Sequence, residues 1–331
     1  MTSKATLFIA FAFVSLADAQ VDRVLHFTSI ESAQEFQEIG TVVSKITDIQ
    51  QASVDTAEKA LVLHGTAAQI ALAEWLFTTL DRPVVAGKLQ YQVSNSGDDV
   101  VQIFYLRNTE TMQRLQEVAT TVRSIGDIRR LFTCNALKAV VIRGTPEQAE
   151  LAKFLFTEID KPSIERDPSQ QKPKPATHIY RPDSVEGVVR VFYLPNTKTV
   201  QNFQELVRTV RNVANVRRVF TYNAPRAVVI RSSADLVELT EWLFNELDKP
   251  ANPKDTSPHE YRLTNASDDE VRVFYLTHFQ TVQRLNEIAR QAESLTHQRR
   301  ALPYNQARAV VVRGTTGELA LAERLIKELD Q

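Results

Sequence analysis

The apolar positions of this 331-residue chain change their period in a fixed order, and that order is run through four times, over 24–83, 103–162, 191–250 and 273–331. In the third copy a short apolar run, Val191-Phe192-Tyr193-Leu194, reads as a strand. Val200, Phe203, Leu206, Val207, Val210 and Val213 then recur at spacings of three and four, the stripe of an amphipathic helix. The second copy repeats the stripe as Met112, Leu115, Val118, Ala119, Val122 and Ile125. Strands over 217–221 and 226–231 flank Asn223-Ala224-Pro225, which is turn chemistry. Ala227-Val228-Val229-Ile230 is continuous and β-branched, as suits a strand covered by helices.

A second helix closes each copy. It begins at a capping hydroxyl, Thr66, Thr145, Ser233 or Thr315. Pro146 fits the first turn, and Gln69 and Glu318 stand three residues past the cap, where a capping box wants them. Pro83, Pro162 and Pro250 stop the helix in copies one to three. The expected fold class is α+β, a tandem repeat of four β-α-β-β-α units with two helices on each sheet. Tyr91, Tyr180 and Tyr261 precede the opening strands of copies two, three and four. Turn residues follow (Asn95-Ser96-Gly97-Asp98, Asn265-Ala266-Ser267-Asp268), which predicts an extra N-terminal strand hairpinned onto each of those copies.

The expected organisation is a signal peptide over 1–19, unit one over 20–83, unit two with its leading strand over 84–162, a Pro-rich linker over 163–182, unit three over 183–250 and unit four over 251–331. Lys4, the apolar run 6–16 and Ala17-Asp18-Ala19 have the form of a cleaved leader, with the cut after Ala19. The run is shorter than the roughly 20 residues a spanning helix needs, so the mature chain is expected to be exported and not membrane-spanning. Cys134 is the sole cysteine. It excludes an intramolecular disulfide framework and a thiolate metal site. The net charge of −1 hides an uneven distribution: copy one stands at −5 and each later copy at +2.

The ordered set of motifs resembles the secretin N-terminal (NolW-like) domain. The residues that carry the likeness are Tyr222-Asn223-Ala224-Pro225-Arg226-Ala227-Val228-Val229-Ile230, Gly144-Thr145 at a helix start and Leu247-Asp248-Lys249-Pro250 at a helix end. The resemblance implies KH-like periplasmic units that pack side by side into rings beneath an outer-membrane pore of secretion or pilus systems. Secretins continue into a long β-barrel domain, and this sequence stops at Gln331. The expectation is a string of ring-type units without a pore.

The chemistry-bearing residues point away from catalysis. His26, His64, His178, His259, His278 and His297 fall at unrelated repeat positions, so no metal site is expected. Neither a nucleophile elbow nor a phosphate loop is present. Glu38, Glu117, Glu205 and Glu287 recur on the first helix and are expected to make local pairs. Arg129-Arg130, Arg217-Arg218 and Arg299-Arg300 lack the Gly-x-x-Gly clamp of RNA-binding KH units. They are expected to solvate a strand end or to meet carboxylates of a neighbouring unit, with no nucleic-acid role. Cys134, aligned with Asp55, Tyr222 and Tyr304, is expected at a surface turn.

Trp75, Phe154 and Trp242 share one position on the second helix, about 160° from the centre of its apolar stripe; Arg324 holds that position in copy four. These aromatics are expected to contact the following unit or its leading strand. Together with the six paired arginines they are the candidate interface. The functional expectation is an exported, non-enzymatic periplasmic scaffold with no cofactor. Its partners would be proteins of a secretion or pilus machinery, and self-association is open. The alternative is a stand-alone peptide binder that uses exposed sheet edges.

Overall fold

The structure, a computed structural model, describes residues 20–82, 89–93, 99–161, 178–180, 187–223, 226–249, 257–263, 268–278, 281–297 and 300–331. The leader over 1–19, the turn residues 95–98 and 265–267, Ala224-Pro225, Arg299, nearly all of the Pro-rich linker and the helix-stopping prolines Pro83, Pro162 and Pro250 lie outside the described residues. No helix among the described residues is long and apolar enough to cross a membrane.

The element order is β-α-β-β-α in copy one and the same with one leading strand in each later copy. Copy one comprises β1 (Gln20–His26), α1 (Ala33–Thr47), β2 (Gln51–Asp55), β3 (Ala60–Thr66) and α2 (Ala67–Leu80). Copy two comprises β4 (Gln90–Gln92), β5 (Val100–Tyr105), α3 (Met112–Gly126), β6 (Arg130–Cys134), β7 (Ala139–Gly144) and α4 (Pro146–Ile159). Copy three comprises β8 (His178–Tyr180), β9 (Val188–Tyr193), α5 (Val200–Ala214), β10 (Arg218–Tyr222), β11 (Ala227–Ser232) and α6 (Ala234–Leu247). Copy four comprises β12 (His259–Arg262), β13 (Glu270–Tyr275), α7 (Val282–Ser294), β14 (Arg300–Tyr304), β15 (Ala309–Gly314) and α8 (Thr316–Leu329). All strand pairs are antiparallel. Copy one has the sheet order β1-β3-β2, and the later copies add the leading strand: β4-β5-β7-β6, β8-β9-β11-β10 and β12-β13-β15-β14.

Local chemistry sets the helix ends. Thr66, Thr145 and Thr315 each form a reciprocal capping box with Gln69, Gln148 and Glu318, which satisfies two otherwise orphan N–H groups. Ser233 holds the same place but accepts no side-chain bond. The buried residues of α6 are Val237, Leu239, Thr240, Leu243, Phe244 and Leu247, the stripe read from the sequence. In α5 and α3 the first residue of the expected stripe is exposed: Val200 and Met112 sit at the helix start, beyond the core.

The aspartate of each Leu-Asp end has a structural task. Asp81 accepts from the Thr28 N–H and hydroxyl (both 2.7 Å). Asp160 accepts from the Arg107 N–H at 2.7 Å, Asp248 from the Asn196 N–H at 3.2 Å and Asp330 from the Thr277 N–H at 2.7 Å. In each case the end of the second helix is tied to the loop that follows the opening strand.

The chain divides into two compact bodies, and their limits cut across the copies. The first holds the described residues of Met1–Tyr105 and Arg130–Gly144, the second those of Leu106–Arg129 and Thr145–Gln331. In the first body, α1 and α2 lie between the sheet of copy one and the sheet of copy two. One core joins Phe36, Ile39, Leu61, Leu63, Leu72 and Leu76 to Val101, Ile103, Cys134 and Val141. In the second body, α3 packs on β10 and β11, and α4 on β8. There α5 and α6 lie between the sheets of copies three and four; their core joins Phe203, Leu206, Leu239 and Leu243 to Val271, Val273, Tyr304 and Val311. Helices α7 and α8 cover the other face of the last sheet.

Candidate functional site: the seams between copies

Each seam sets the sheet of one copy on the helices of the copy before it, and the same contacts recur. The first helix ends at a residue in the left-handed conformation: Asp48 (φ 61°), Asp127 (φ 53°) or Asn215 (φ 58°). Asp and Asn tolerate that backbone better than most residues. The last carbonyls there have no partner within the helix, and the helix dipole is negative at that end. An arginine from the next copy answers both. Arg143 donates to the Ile46 carbonyl at 3.0 Å and to Asp48 at 3.3 Å. Arg231 donates to the Ile125 carbonyl at 2.7 Å and to Asp127 at 3.1 Å. Arg313 donates to the Val213 carbonyl at 3.0 Å. Burial, and then the neighbouring Arg218, pull the proton affinity of Arg231 below the usual guanidinium range.

A second contact joins the end of the opening strand to the preceding second helix. The hydroxyl of Tyr105 donates to the Thr79 carbonyl at 3.3 Å, that of Tyr193 to the Glu158 carbonyl and that of Tyr275 to the Glu246 carbonyl at 3.2 Å. A third seats the β-hairpin tip. The Asn135 N–H and side-chain amide both donate to Glu38 at 3.0 Å, and the Asn305 N–H donates to Glu205 at 2.9 Å. Beside the latter, Gln306 accepts from Asn202 and donates to the Asn196 carbonyl at 3.0 Å. Glu117 lies beside the hydroxyl of Tyr222, whose proton affinity is raised, chiefly by burial.

No protein-family model and no curated protein matches the chain. Among solved structures it is similar to ExeD of Aeromonas hydrophila, with 16% identity over 70% of this chain and 41% of that one and a TM-score of 0.17. It is also similar to the N-terminal domain of the secretin XcpQ from Pseudomonas aeruginosa (15% identity, 43% of this chain, 62% of that one, TM-score 0.19). A third is Dim2p from Pyrococcus horikoshii (13% identity, 43% of this chain, 91% of that one, TM-score 0.24). The chain spans less than two thirds of the length of the first two. The likeness is one of fold. It does not extend to activity, substrates or partners.

The geometry assigns the sequence candidates to places. Trp75 packs on Tyr91 with ring centroids 5.3 Å apart, Phe154 on Tyr180 at 5.4 Å and Trp242 on Tyr261 at 5.4 Å. Each aromatic thus meets the leading strand of the following copy, while Arg324 is exposed. Arg130 pairs with Asp48 at 2.7 Å and Arg218 with Asp127 at 2.6 Å, both carboxylates of the preceding copy. Arg129 and Arg217 are exposed, Arg300 is half-buried and Arg299 lies outside the described residues.

Two sequence expectations fail here. Glu38 and Glu205 receive the next copy's hairpin instead of making local pairs, whereas Glu287 pairs within its own helix, with Arg290 at 2.9 Å. Cys134 is not at a surface turn but fully buried, as are Tyr222 and Tyr304 at the same position. Burial is the main cause that pushes its thiol up to about 12. Only Asp55, in copy one, is exposed at this position; the other three face the helices of the preceding copy. Sequence reasoning also passed over Arg143, Arg231 and Arg313. The available signal was an arginine at one fixed place after a β-branched run in copies two to four, with His64 there in copy one.

Proposed function

We propose that this chain is an exported, non-catalytic scaffold whose KH-like units act by docking sheet faces on helix faces, and that its partners are proteins of a secretin-type secretion or pilus system in the periplasm. The observation that carries the reading is the recurrence of one docking mode at three seams: arginine to helix end, tyrosine to carbonyl, and hairpin tip to glutamate or its neighbours. Repeated units that present the same complementary faces build extended binding surfaces, whereas catalysis needs one specialised constellation. The recurring carboxylates and arginines are spent on architecture. The link to secretion rests on the sequence resemblance to secretin N-terminal domains, and export on the leader-like segment ahead of Gln20.

The decisive experiment has two parts. N-terminal sequencing of protein from its native host should begin at Gln20; a mature chain that keeps 8–16 removes the export reading. Secretin complexes purified from the same envelope in mild detergent should contain this chain at fixed stoichiometry; complexes free of it remove the link to secretion. One feature favours the peptide-binding alternative. Strand β1 forms an edge of its sheet, whereas its counterparts β5, β9 and β13 are each covered by a leading strand. A strand-adding peptide would protect the β1 amides from hydrogen exchange and leave the chain monomeric.

A further inference from the structure

Two faces of the molecule have the geometry of a seam surface without a neighbour upon them among the described residues. One is the face of the β1-β3-β2 sheet turned away from α1 and α2. Val24 and Val62 stand there 49% and 39% exposed, whereas Ile103, Val191 and Val273 (matching Val24) and Val141, Val229 and Val311 (matching Val62) are all buried. The other is the face of α7 and α8 turned away from β13–β15. Leu321 is 52% exposed there, whereas Leu72, Leu151 and Leu239 at the same position are buried to within 2%. Isolated exposed apolar residues need no explanation. These three matter because each has buried counterparts in the other three copies, and the counterparts meet one another at the seams.

The polar residues on the two faces are altered in a matched way. On the sheet face of copy one, Asp22 replaces the valine of copies two to four, and Asp55 and Glu58 replace the neutral residues of the later hairpins, Cys134 and Leu137 or Tyr304 and Ala307. His26 replaces the seam tyrosine. On the helix face of copy four, Arg324 replaces the seam aromatic. His278 and Arg284 line the hairpin seat where copy one has Ser29 and Glu35, and Arg290, paired with Glu287, stands where copy one has Thr41. That seat is an open recess of about 190 Å³ lined by Leu276, His278, Arg284, Leu285, Ile288 and Asp330. Its counterpart in copy three, formed by Leu194, Asn196, Asn202, Phe203 and Leu206, receives the hairpin tip Tyr304–Ala307. In the seam geometry the place of Asp22 adjoins that of Arg324, the place of His26 meets the Glu328 carbonyl, and the acidic hairpin tip enters the seat lined by Arg284.

We propose that the sheet of copy one docks on α7 and α8 of a second molecule, head to tail, in the arrangement by which the sheet of copy four sits on α5 and α6. The inference rests on the scaffold reading above and adds its partner, another copy of the same chain. The contact joins different patches, so successive molecules form a closed ring or an open filament. The charges make it selective. In the seat of copy four Glu287 is paired with Arg290 and Arg284 lines the recess, whereas the seat of copy one holds Glu38 with Thr41 and Glu35 at those two positions. The acidic tip of copy one therefore suits the former and not the latter. Attraction between exposed charges of this kind is screened by salt, with a Debye length of about 8 Å at physiological ionic strength and about 3 Å at 1 M.

The test is sedimentation of the purified protein over a range of concentration and salt. The expected result is a mass that rises with concentration at low salt and returns towards the monomer at 1 M. Val62→Asp and Leu321→Asp each block one face; both side chains are exposed, so circular dichroism and the unfolding midpoint should stay as in the parent. Each variant alone should be a monomer, and an equimolar mixture should give a dimer and nothing larger. Asp22→Arg and Arg324→Glu should each weaken association at least tenfold, and the chain carrying both should recover it. A parent protein that is monomeric at every concentration overturns the inference, as does association untouched by Val62→Asp and Leu321→Asp. A monomer that still co-purifies with secretin complexes leaves the scaffold reading standing; a self-associating chain absent from them does the reverse.

Discussion

Val62 and Val311 are the same residue at the same place in two copies of one unit, and the first is exposed while the second is fully buried. Their strands have the same partners and the same antiparallel register. The difference lies in what covers the second face. The sheet of copy four carries its own helices on one side and α5 and α6 on the other; that of copy one, among the described residues, carries helices on one side only. The sequence has adjusted to this. Asp22, Gln51, Ser53 and Asp55 line the open face, and Val271, Arg300, Leu302 and Tyr304 stand at the same positions in the covered one. A small sheet of this kind becomes a two-sided core element only when a neighbour supplies the second layer.

The sharpest way to break the comparison is a charge at that valine. Val311→Asp buries a carboxylate among apolar side chains and should cost more than about 4 kcal/mol, while Val62→Asp should stay within about 0.5 kcal/mol. Chemical denaturation of the two variants measures both, and equal effects would mean that the second layer contributes nothing.

Next in size is the seam arginine. Arg313→Ala removes the donor to the Val213 carbonyl and leaves the largely buried Asp269 without its partner, at a cost of about 3 kcal/mol. His64→Ala, at the same place in copy one, removes only the exposed pair with Asp22 and should be nearly neutral.

A third test uses pH. Burial raises Asp248 to about 6 from its ordinary 3.8. The folded state therefore holds this proton more tightly than the unfolded chain, so stability is greatest below the unfolded value and is lost as pH rises from about 4 through 6. The loss should be on the order of 3 kcal/mol. Asp248→Asn should flatten that part of the profile; an unchanged slope in thermal unfolding between pH 4 and 7 would remove the assignment.

The smallest effect belongs to the aromatic seam. Trp242→Ala and Trp75→Ala each delete a ring pair, worth about 1 kcal/mol. They should speed proteolysis after Pro250 and Pro83 with little change in secondary structure, and Arg324→Ala should not.

What the sequence determined by itself was everything set by neighbours a few residues away. The helix stripe over 237–247, the capping boxes and the extra strands at Tyr91, Tyr180 and Tyr261 were legible because periodicity and turn chemistry act along the chain. The aromatic position of Trp75, Phe154 and Trp242 was legible because a large apolar side chain set opposite its own core calls for a second surface. The places of Cys134, of Glu38 and Glu205 and of Arg143, Arg231 and Arg313 were decided only by tertiary structure. Each is an outward-facing position of its own copy, where a polar or small residue reads as solvated. Each is nevertheless buried or engaged, because another copy, 80 or more residues away in sequence, closes over it. Periodicity records which face of an element is apolar, and the layer that will meet the other face leaves no local period to read.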